Sequence, residues 1–205
     1  MSILNANRRK FDFLQNSTIY MHRQIDDIAD IRIGFPGQAE KDGTVPFLQV
    51  RQFDEEGNLV TKAEDYIKLD EKTLPHLLKD GDVLFVAKGL RLFAWCYREE
   101  DTPTVASSSF FVIRTNIDQL HPGYLAAFLN APQTKAALMQ LGGGTNIFSI
   151  RKSELGAFQI PLLPISRQKK IAALGELHQK EIQLRKEVIE QKRNLYRAII
   201  SKLIK

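Results

Sequence analysis

The feature that most constrains the fold is the last fifth of the chain, which contains almost no residue that breaks a helix. After Pro164 there is no further proline, and Gly175 is the only glycine before the end of the sequence. Proline removes a hydrogen bond from a helix interior and glycine weakens it, so their near absence favours one continuous helix. At 1.5 Å per residue, a helix of about 41 residues would be roughly 60 Å long.

The apolar residues of this helix form two adjacent stripes. At about 100° per residue, the first seam consists of Leu184, Val188, Leu195 and Ile199. A neighbouring seam, which repeats every seven residues, consists of Ile182, Ile189, Tyr196 and Leu203. The arc is wider than the stripe that a two-stranded coiled coil needs. So long a helix cannot bury the whole arc against a body of about 140 residues. We therefore expect these side chains to form an interface with a partner.

The preceding residues combine short strands with helices. The strand-like runs, rich in β-branched and aromatic residues, are VPFLQV, VLFVAKG, LFAWCY and TVASSSFFVIR. Helical periodicity then begins near Pro122 and resumes after Pro132, and a last strand, AFQIPL, follows. The pattern predicts an α+β fold, with a mixed α/β domain over residues 1–163 and a long coiled-coil-forming helix over residues 164–205. We expect the interior of the domain to include Val83, Phe85, Phe110, Ile113 and Leu125.

Charge is distributed unevenly between these two parts. Residues 161–205 contain eleven Lys and Arg against four Glu, a net charge of +7, which leaves −2 of the chain's +5 for residues 1–160. A basic helix can contact phosphate, although a solvated helix face is the commoner explanation of such a pattern. If the body binds nucleic acid, it does so through a local basic face and not through its overall charge.

The residues that usually carry enzyme chemistry are not arranged for it. The four histidines are scattered without the spacing of metal ligands, and Gly142–Thr145 lacks the lysine of a phosphate-binding loop. Asp82 and Lys88 superficially resemble a nuclease motif, but Val86 stands where a second carboxylate is needed. We therefore expect no catalytic residue, no metal and no cofactor in this chain.

Cysteine content and hydropathy suggest where the protein works. The single cysteine, Cys96, excludes an internal disulfide and fits a reducing compartment. No stretch approaches the roughly 18 uncharged apolar residues of a membrane span, and residues 1–13 lack the apolar run of a secretory signal. These observations predict a cytoplasmic protein that is not associated with a membrane.

Three segments, taken in order, resemble the specificity subunits of type I DNA restriction-modification systems. They are VPFLQVRQFDEEGNL, KDGDVLFVAKG and HPGYLAAFLNAPQTKAALMQLGGGTNIFSIRKSELGAFQIPLLPISRQKKIAAL. Each segment is degenerate, but their ordered combination over residues 23–205 is specific. Most members begin the last helix with Pro-x-x-Glu-Gln, whereas this chain has Arg167 before Gln168.

The resemblance implies a recognition subunit that carries out no chemistry itself. Members of the family read double-stranded DNA with target-recognition domains and recruit DNA methyltransferase subunits, and in complete systems a restriction subunit. S-adenosylmethionine is then expected on the partner methyltransferase subunit. Members usually carry two recognition domains and two helical spacers. This chain has one of each and so resembles a half-length form, which we expect to pair as a homodimer through residues 164–205.

Candidates for DNA contact are polar residues in the loops that follow strands. They are Arg51, Lys88, Arg91, Ser107, Ser108, Thr145 and Asn146. Lys88 and Arg91 could donate to guanine or phosphate, and Asn146 could pair with adenine. For each residue alone, a solvated loop position is the commoner explanation.

Another function class also fits the sequence. A coiled-coil dimer whose α+β head binds protein, without DNA, would also explain the long helix, and the acidic body is its best support. Duplex DNA binding that weakens with salt would separate the two, because phosphate contacts make affinity fall as salt rises.

Overall fold

The structure is a computed structural model and describes residues 20–60, 65–98, 102–142 and 147–204. The strands are β1 (His22–Gln24), β2 (Ala29–Ile33), β3 (Val45–Leu48), β4 (Tyr66–Ile67), β5 (Val83–Val86), β6 (Lys88–Gly89), β7 (Ala94–Cys96), β8 (Val105–Ala106), β9 (Phe110–Thr115), β10 (Phe148–Ser149) and β11 (Gln159–Pro161). The helices are α1 (Ile25–Ile28), α2 (Pro122–Asn130), α3 (Pro132–Leu141), α4 (Lys152–Gly156) and α5 (Ile165–Leu203), with 3₁₀ turns at Val50–Gln52 and Leu74–His76.

A four-stranded antiparallel sheet in the order β2-β9-β5-β7 forms the centre of the body. Alternate residues of β5 face two different clusters: Val83 and Phe85 belong to the one that includes α2, and Leu84 and Val86 to the other. The sheet is therefore covered on both faces. This explains why β5 reads as an uninterrupted apolar run, because strands covered on one face only alternate apolar with polar residues.

A second, smaller sheet in the order β4-β3-β8 lies beside the first. In it β3 and β8 are parallel, with Phe47 opposite Val105 and Leu48 opposite Ala106. Aromatic rings fill the space between the sheets: the Phe53 ring lies 5.1 Å from that of Phe93 and 5.7 Å from that of Phe110. Because β3 and β8 run the same way, the loops that follow them emerge on the same side of the body.

The start of α5 is anchored to the body by one buried glutamine. Gln168 is fully buried, and its Oε1 accepts a hydrogen bond of 2.8 Å from the backbone of His121. Its Nε2 donates to the carbonyl oxygens of Gln119 at 2.9 Å and Leu163 at 2.7 Å. These three bonds join the last helix to the residues just before α2 and to the segment between β11 and α5. Arg167 lies over the ring of Tyr20, 5.5 Å from its centroid.

The first half of α5 runs along the body, and contacts continue as far as Lys186. Glu176 pairs with Arg98 at 2.6 Å. Farther along the helix, Lys186 pairs with Asp54 at 2.8 Å and with Glu56 at 2.7 Å. Beyond Lys186, the ion pairs of the described helix residues join members of the helix itself. A turn of the body thus holds the middle of the helix.

Most sequence-based expectations for the fold are confirmed. The α+β class and the long C-terminal helix are as predicted, and all five residues expected in the interior, Val83, Phe85, Phe110, Ile113 and Leu125, are 0% exposed. The helix begins at Ile165, next to the expected boundary. The division into a DNA-reading domain (1–163) and a spacer (164–205) remains an interpretation, and residues 1–19 lie outside the described part of the chain.

Candidate nucleic-acid interface

Several loops meet at one edge of the central sheet, which we call the loop edge and define as residues 49–51, 87–91, 107–109 and 147–149. Strand β5 ends here where β9 begins, because Val86 pairs with Phe110. Just beyond this pair, the Ala87 amide donates to the Ser109 carbonyl at 2.8 Å, and the Ile150 amide donates to the Ala87 carbonyl at 3.0 Å. Segments distant in sequence are thus joined by backbone hydrogen bonds.

A short antiparallel ribbon of β6 and β10 extends from this edge. Its register pairs Lys88 with Ser149 and Gly89 with Phe148. The ring of Phe148 packs against Phe85 with centroids 6.5 Å apart, and Ile150 is buried. A Cβ atom on Gly142 would lie 2.7 Å from the Phe148 ring, so glycine is needed where the chain leaves α3 beside the ribbon. Gly142, the first glycine of the turn found in the sequence, therefore lies beside the ribbon that carries Lys88.

Ser107 and Ser108 belong to the turn between β8 and β9 at the same edge. The Ser107 amide donates to the Leu48 carbonyl, and the Ser108 amide donates to the Phe35 carbonyl, both at 2.9 Å. A Cβ atom on Gly34 would lie only 2.6 Å from the Ala106 carbonyl oxygen, so the chain after β2 can pass this turn only as glycine. The Ser108 side of the turn is exposed.

Arg51 lies in the 3₁₀ turn that follows β3, on the same side as the Ser107 turn. Its guanidinium forms an ion pair with both carboxylate oxygens of Asp65. The Asp65 side chain is 11% exposed, whereas that of Arg51 is 66% exposed. Arg51 therefore reaches solvent with part of its hydrogen-bonding capacity already used.

Arg91 follows the ribbon in the loop between β6 and β7. One of its guanidinium nitrogens donates to the Phe53 carbonyl oxygen at 2.5 Å, which ties this loop to the turn after β3. A guanidinium has five N–H donors, and among the described residues this bond is the side-chain hydrogen bond that Arg91 donates.

Lys88 differs from the two arginines. Its side chain is exposed, and within the described ranges it forms no ion pair and no side-chain hydrogen bond. The loop edge thus brings together Arg51, Lys88, Arg91, Ser107 and Ser108. Thr145 and Asn146 lie outside the described residues. They follow Gly142 and precede Ile147 in the chain, and both of these residues lie beside the β6–β10 ribbon.

Three further residues of the loop edge were not singled out in the sequence. Ser149 faces Lys88 in the ribbon, and Leu90 and Ile147 are apolar but strongly exposed. The ladder between β6 and β10 joins residues about sixty positions apart, so no local pattern could reveal it.

The predicted helical interface is largely open. Of its eight residues, Ile182 is half-buried beside the body, and seven are between 47% and 75% exposed: Leu184, Val188, Ile189, Leu195, Tyr196, Ile199 and Leu203. Leu174 and Leu177 are also exposed, at 68% and 66%, and extend the seam of Leu184 and Val188 towards the start of the helix. The seam lies on the side of α5 opposite Lys186, which faces the body.

A groove of about 550 Å³ lies between β7, α2 and α5, away from the loop edge. Small side chains, including Ala126, Ala127 and Ala172, line much of it. Cys96 also lines this groove, and burial raises the pKa of its thiol to about 11. A thiol with so high a pKa is a poor nucleophile near neutral pH.

Asp82, the residue of the nuclease-like pattern, is the buried partner of an ion pair. Its carboxylate is 1% exposed and accepts hydrogen bonds of 2.8 and 2.6 Å from Arg114 and one of 2.9 Å from the Lys79 amide. Among the described residues, no three His, Cys, Asp or Glu side chains are placed to hold a metal ion. No helix in this part of the chain is both long and apolar enough to cross a membrane.

Comparison with known proteins identifies the family. The model of a family described as the type I restriction modification DNA specificity domain matches residues 19–191, most of the chain. No curated protein matches the sequence.

Three solved structures share the fold at 17% sequence identity. The type I restriction-modification S subunit of M. genitalium has a TM-score of 0.59, over 88% of this chain and 44% of that chain. The HsdS subunit of Thermoanaerobacter tengcongensis has a TM-score of 0.58, over 88% and 46%. A chain from a study of complex assembly and conformational transition of the type I R-M system has a TM-score of 0.56, over 85% and 46%.

The chain therefore spans less than half the length of each of these proteins. Identity at this level establishes a shared fold, while the match of the family model extends over both the body and most of the long helix. The chain belongs to the family of type I restriction modification DNA specificity domains.

Proposed function

We propose that this chain reads one half-site of double-stranded DNA through its loop edge and carries out no catalysis itself. The observation that carries the proposal is the convergence of Arg51, Lys88 and Arg91 with the Ser107 turn at one edge of a family member's sheet. Cations fix the register of a protein on the phosphates, and side chains reaching base edges supply specificity. Thr145 and Asn146 complete the candidate set.

We further propose that DNA methyltransferase subunits bind this chain and modify the site that it reads. Membership of a type I specificity family supports such a partner, and one of the structures with the same fold concerns complex assembly in a type I R-M system. The methyltransferase subunit would hold S-adenosylmethionine, and a restriction subunit could join the same complex. A protein with this function works where its DNA is, in the cytoplasm.

The second copy in the complex would pair through α5. Seven exposed apolar side chains between Leu184 and Leu203 support this pairing, since contiguous apolar surfaces of this extent are rare on monomers. Most homo-oligomers are two-fold dimers, and a two-fold dimer with its heads at opposite ends requires the two helices to be antiparallel.

The other function class, a protein-interaction module without DNA binding, also has support. Arg51 and Arg91 each form a bond within the body, and residues 1–160 carry a net charge of −2. On this view the two arginines stabilise loops and the head binds a protein.

Salt dependence of duplex binding tests the proposal. The chain, together with its methyltransferase subunit, would be titrated with duplex DNA at several salt concentrations. We expect log K to fall linearly with log salt, and Lys88→Ala to reduce that slope by about one. Lys79→Ala is a matched control, because this exposed lysine precedes β5 at the opposite end of the sheet. Binding without any salt dependence, or no binding to duplex DNA, would favour the protein-interaction module.

A further inference from the structure

Two exposed apolar residues follow the outermost pair of the β6–β10 ribbon. The register pairs Gly89 with Phe148, and the next outward position on each strand is Leu90 and Ile147. Leu90 is 83% exposed, the largest value among the exposed large hydrophobic residues described, and Ile147 is 49% exposed. We call these two residues the apolar tip.

The ribbon beneath the apolar tip is fixed to the body. Leu92 is 5% exposed and Ile150 is 4% exposed, so both strands enter the core just beyond the tip. Phe148 packs against Phe85, and Arg91 is bonded to the Phe53 carbonyl. Because the backbone of the ribbon is already fixed, little conformational entropy is lost when its apolar side chains bind a ligand. This favours binding through the apolar tip.

The surroundings of the tip indicate the chemistry of its partner. Lys88 and Arg91 flank Leu90 in sequence, and Ser149 lies opposite Lys88 in the ribbon. A partner must therefore present negative charge close to a small apolar group. Duplex DNA does this in the major groove, where the C5-methyl group of thymine lies between two phosphate backbones.

The size of the tip distinguishes DNA from a protein partner. A stable protein interface involves roughly 20–30 residues on each side, whereas the apolar surface here consists of two side chains flanked by cations. A two-stranded ribbon is also one of the elements that the major groove of B-DNA admits.

We propose that Leu90 and Ile147 contact the methyl group of a thymine in the major groove and so select a T·A pair within the half-site. This inference rests on the proposed DNA-reading function and identifies one base that it reads. Insertion between base pairs is the other apolar contact that DNA offers. It requires unstacking, whose free-energy cost is comparable to what burying two aliphatic side chains contributes, so the methyl contact is favoured.

The test removes one methyl group at a time from the DNA. The complex of this chain with its methyltransferase subunit would be titrated with a duplex carrying the host's methylated sequence, in which each thymine in turn is replaced by deoxyuridine. We expect one thymine in each half-site whose replacement weakens binding of the wild-type chain about fourfold, as expected for one buried methyl group. Leu90→Ala should bind the thymine and deoxyuridine duplexes equally well.

A matched variant separates the tip from general apolar exposure. Ile117 is 57% exposed and follows β9, at the end of the sheet opposite the loop edge. Ile117→Ala should retain the fourfold discrimination between thymine and deoxyuridine. Melting temperatures of all the variants show whether each one is folded.

Three results would overturn the inference. In the first, the wild-type complex binds its site specifically but tolerates deoxyuridine at every position, which refutes the methyl contact and leaves the proposed function intact. In the second, the discrimination persists in the Leu90→Ala and Ile147→Ala double variant, or 2-aminopurine fluorescence reports a Leu90-dependent unstacked base. In the third, the complex binds no duplex specifically, and the proposed function fails as well.

Discussion

Individual side chains at the loop edge differ in how much of their hydrogen-bonding capacity is already used. Arg51 is paired with Asp65 and Arg91 with the Phe53 carbonyl, whereas Lys88 has no ion pair among the described residues. A flexible, unpaired ammonium suits a phosphate, and an oriented guanidinium suits the two acceptors of a guanine edge. Within the proposed function, we therefore expect Lys88 to contact a phosphate and Arg91 to contact a base.

Replacing the proposed base-reading side chains should reduce specificity. We expect Arg91→Ala and Asn146→Ala each to weaken binding to the recognised sequence by about 1–3 kcal/mol, if the contact is bidentate, and to weaken binding to random duplex less. Competition titrations with both duplexes measure the difference. An equal loss on both would reassign these residues to phosphate contact, and no loss on either would return them to ordinary loop positions.

Gln168 should be important for stability. Replacing it with alanine leaves the His121 amide and the carbonyl oxygens of Gln119 and Leu163 without their partner. A buried polar group without a partner costs about 1–3 kcal/mol, so Gln168→Ala should lower the free energy of unfolding by roughly 2–4 kcal/mol in urea titrations. Gln183→Ala, an exposed glutamine of the same helix, should change it by less than about 0.5 kcal/mol. Equal effects of the two variants would contradict this role.

At the scale of whole elements, the sequence predicts most strands and helices but not how they contact one another. The apolar run at Val83–Val86 and the helical period after Pro122 have strong local signals. The ribbon of β6 and β10 and the parallel pair β3–β8 depend on contacts between distant residues, which leave no local pattern. The loops that follow the strands were therefore predictable as candidates, whereas their convergence and the bonds of Arg51 and Arg91 were not.

The ion pair between Lys186 of α5 and Asp54 also joins residues that are distant in sequence. Burial raises the pKa of Asp54, but hydrogen bonds from Lys186 and Asn58 outweigh it and lower the pKa to about 2. The hydrogen bond to Asp54 in turn raises the pKa of Lys186. Since an unfolded aspartate has a pKa of about 3.9, this ion pair stabilises the fold fully above about pH 4.

The ion pair should therefore give a difference between variants that depends on pH. We expect Lys186→Ala to be less stable than the wild-type chain at neutral pH, and the difference to shrink as pH falls from about 4 to about 2, where Asp54 becomes protonated in the folded state. Urea unfolding at a series of pH values measures it. Lys180→Ala, an exposed lysine on the same helix, should show no such trend. A difference that is constant over this range would exclude the Asp54 pair as its cause.

At the scale of the whole molecule, the exposed seam of α5 is the surface through which we propose that two copies pair. The body faces the Lys186 side of the helix, and Leu184, Val188 and Leu195 lie on the opposite side. Antiparallel pairing of two such helices would put the two heads at opposite ends. A helix of 39 residues is roughly 60 Å long, so the heads would be separated by no more than about two turns of DNA at ~34 Å per turn.

Charges within the seam should prevent this pairing. The double variant Leu195→Glu with Ile199→Glu places charged carboxylates within the apolar seam, so we expect it to sediment as a monomer with an unchanged circular dichroism spectrum. Glu substitutions at Asn194 and Ser201, two exposed positions on the side of the same helix away from the apolar arc, are the matched control and should leave the dimer intact. A double variant that sediments like the wild-type dimer would exclude this seam as the interface.

Mapping of methylated bases in the host genome, with and without the gene for this chain, tests the central claim most directly. Identical heads related by a two-fold axis read identical half-sites in inverted orientation. We therefore predict that deletion removes methylation at one interrupted palindrome and that restoring the gene returns it. An unchanged methylation pattern would contradict the proposed role in DNA recognition, and loss of methylation at an asymmetric two-part sequence would contradict the homodimer.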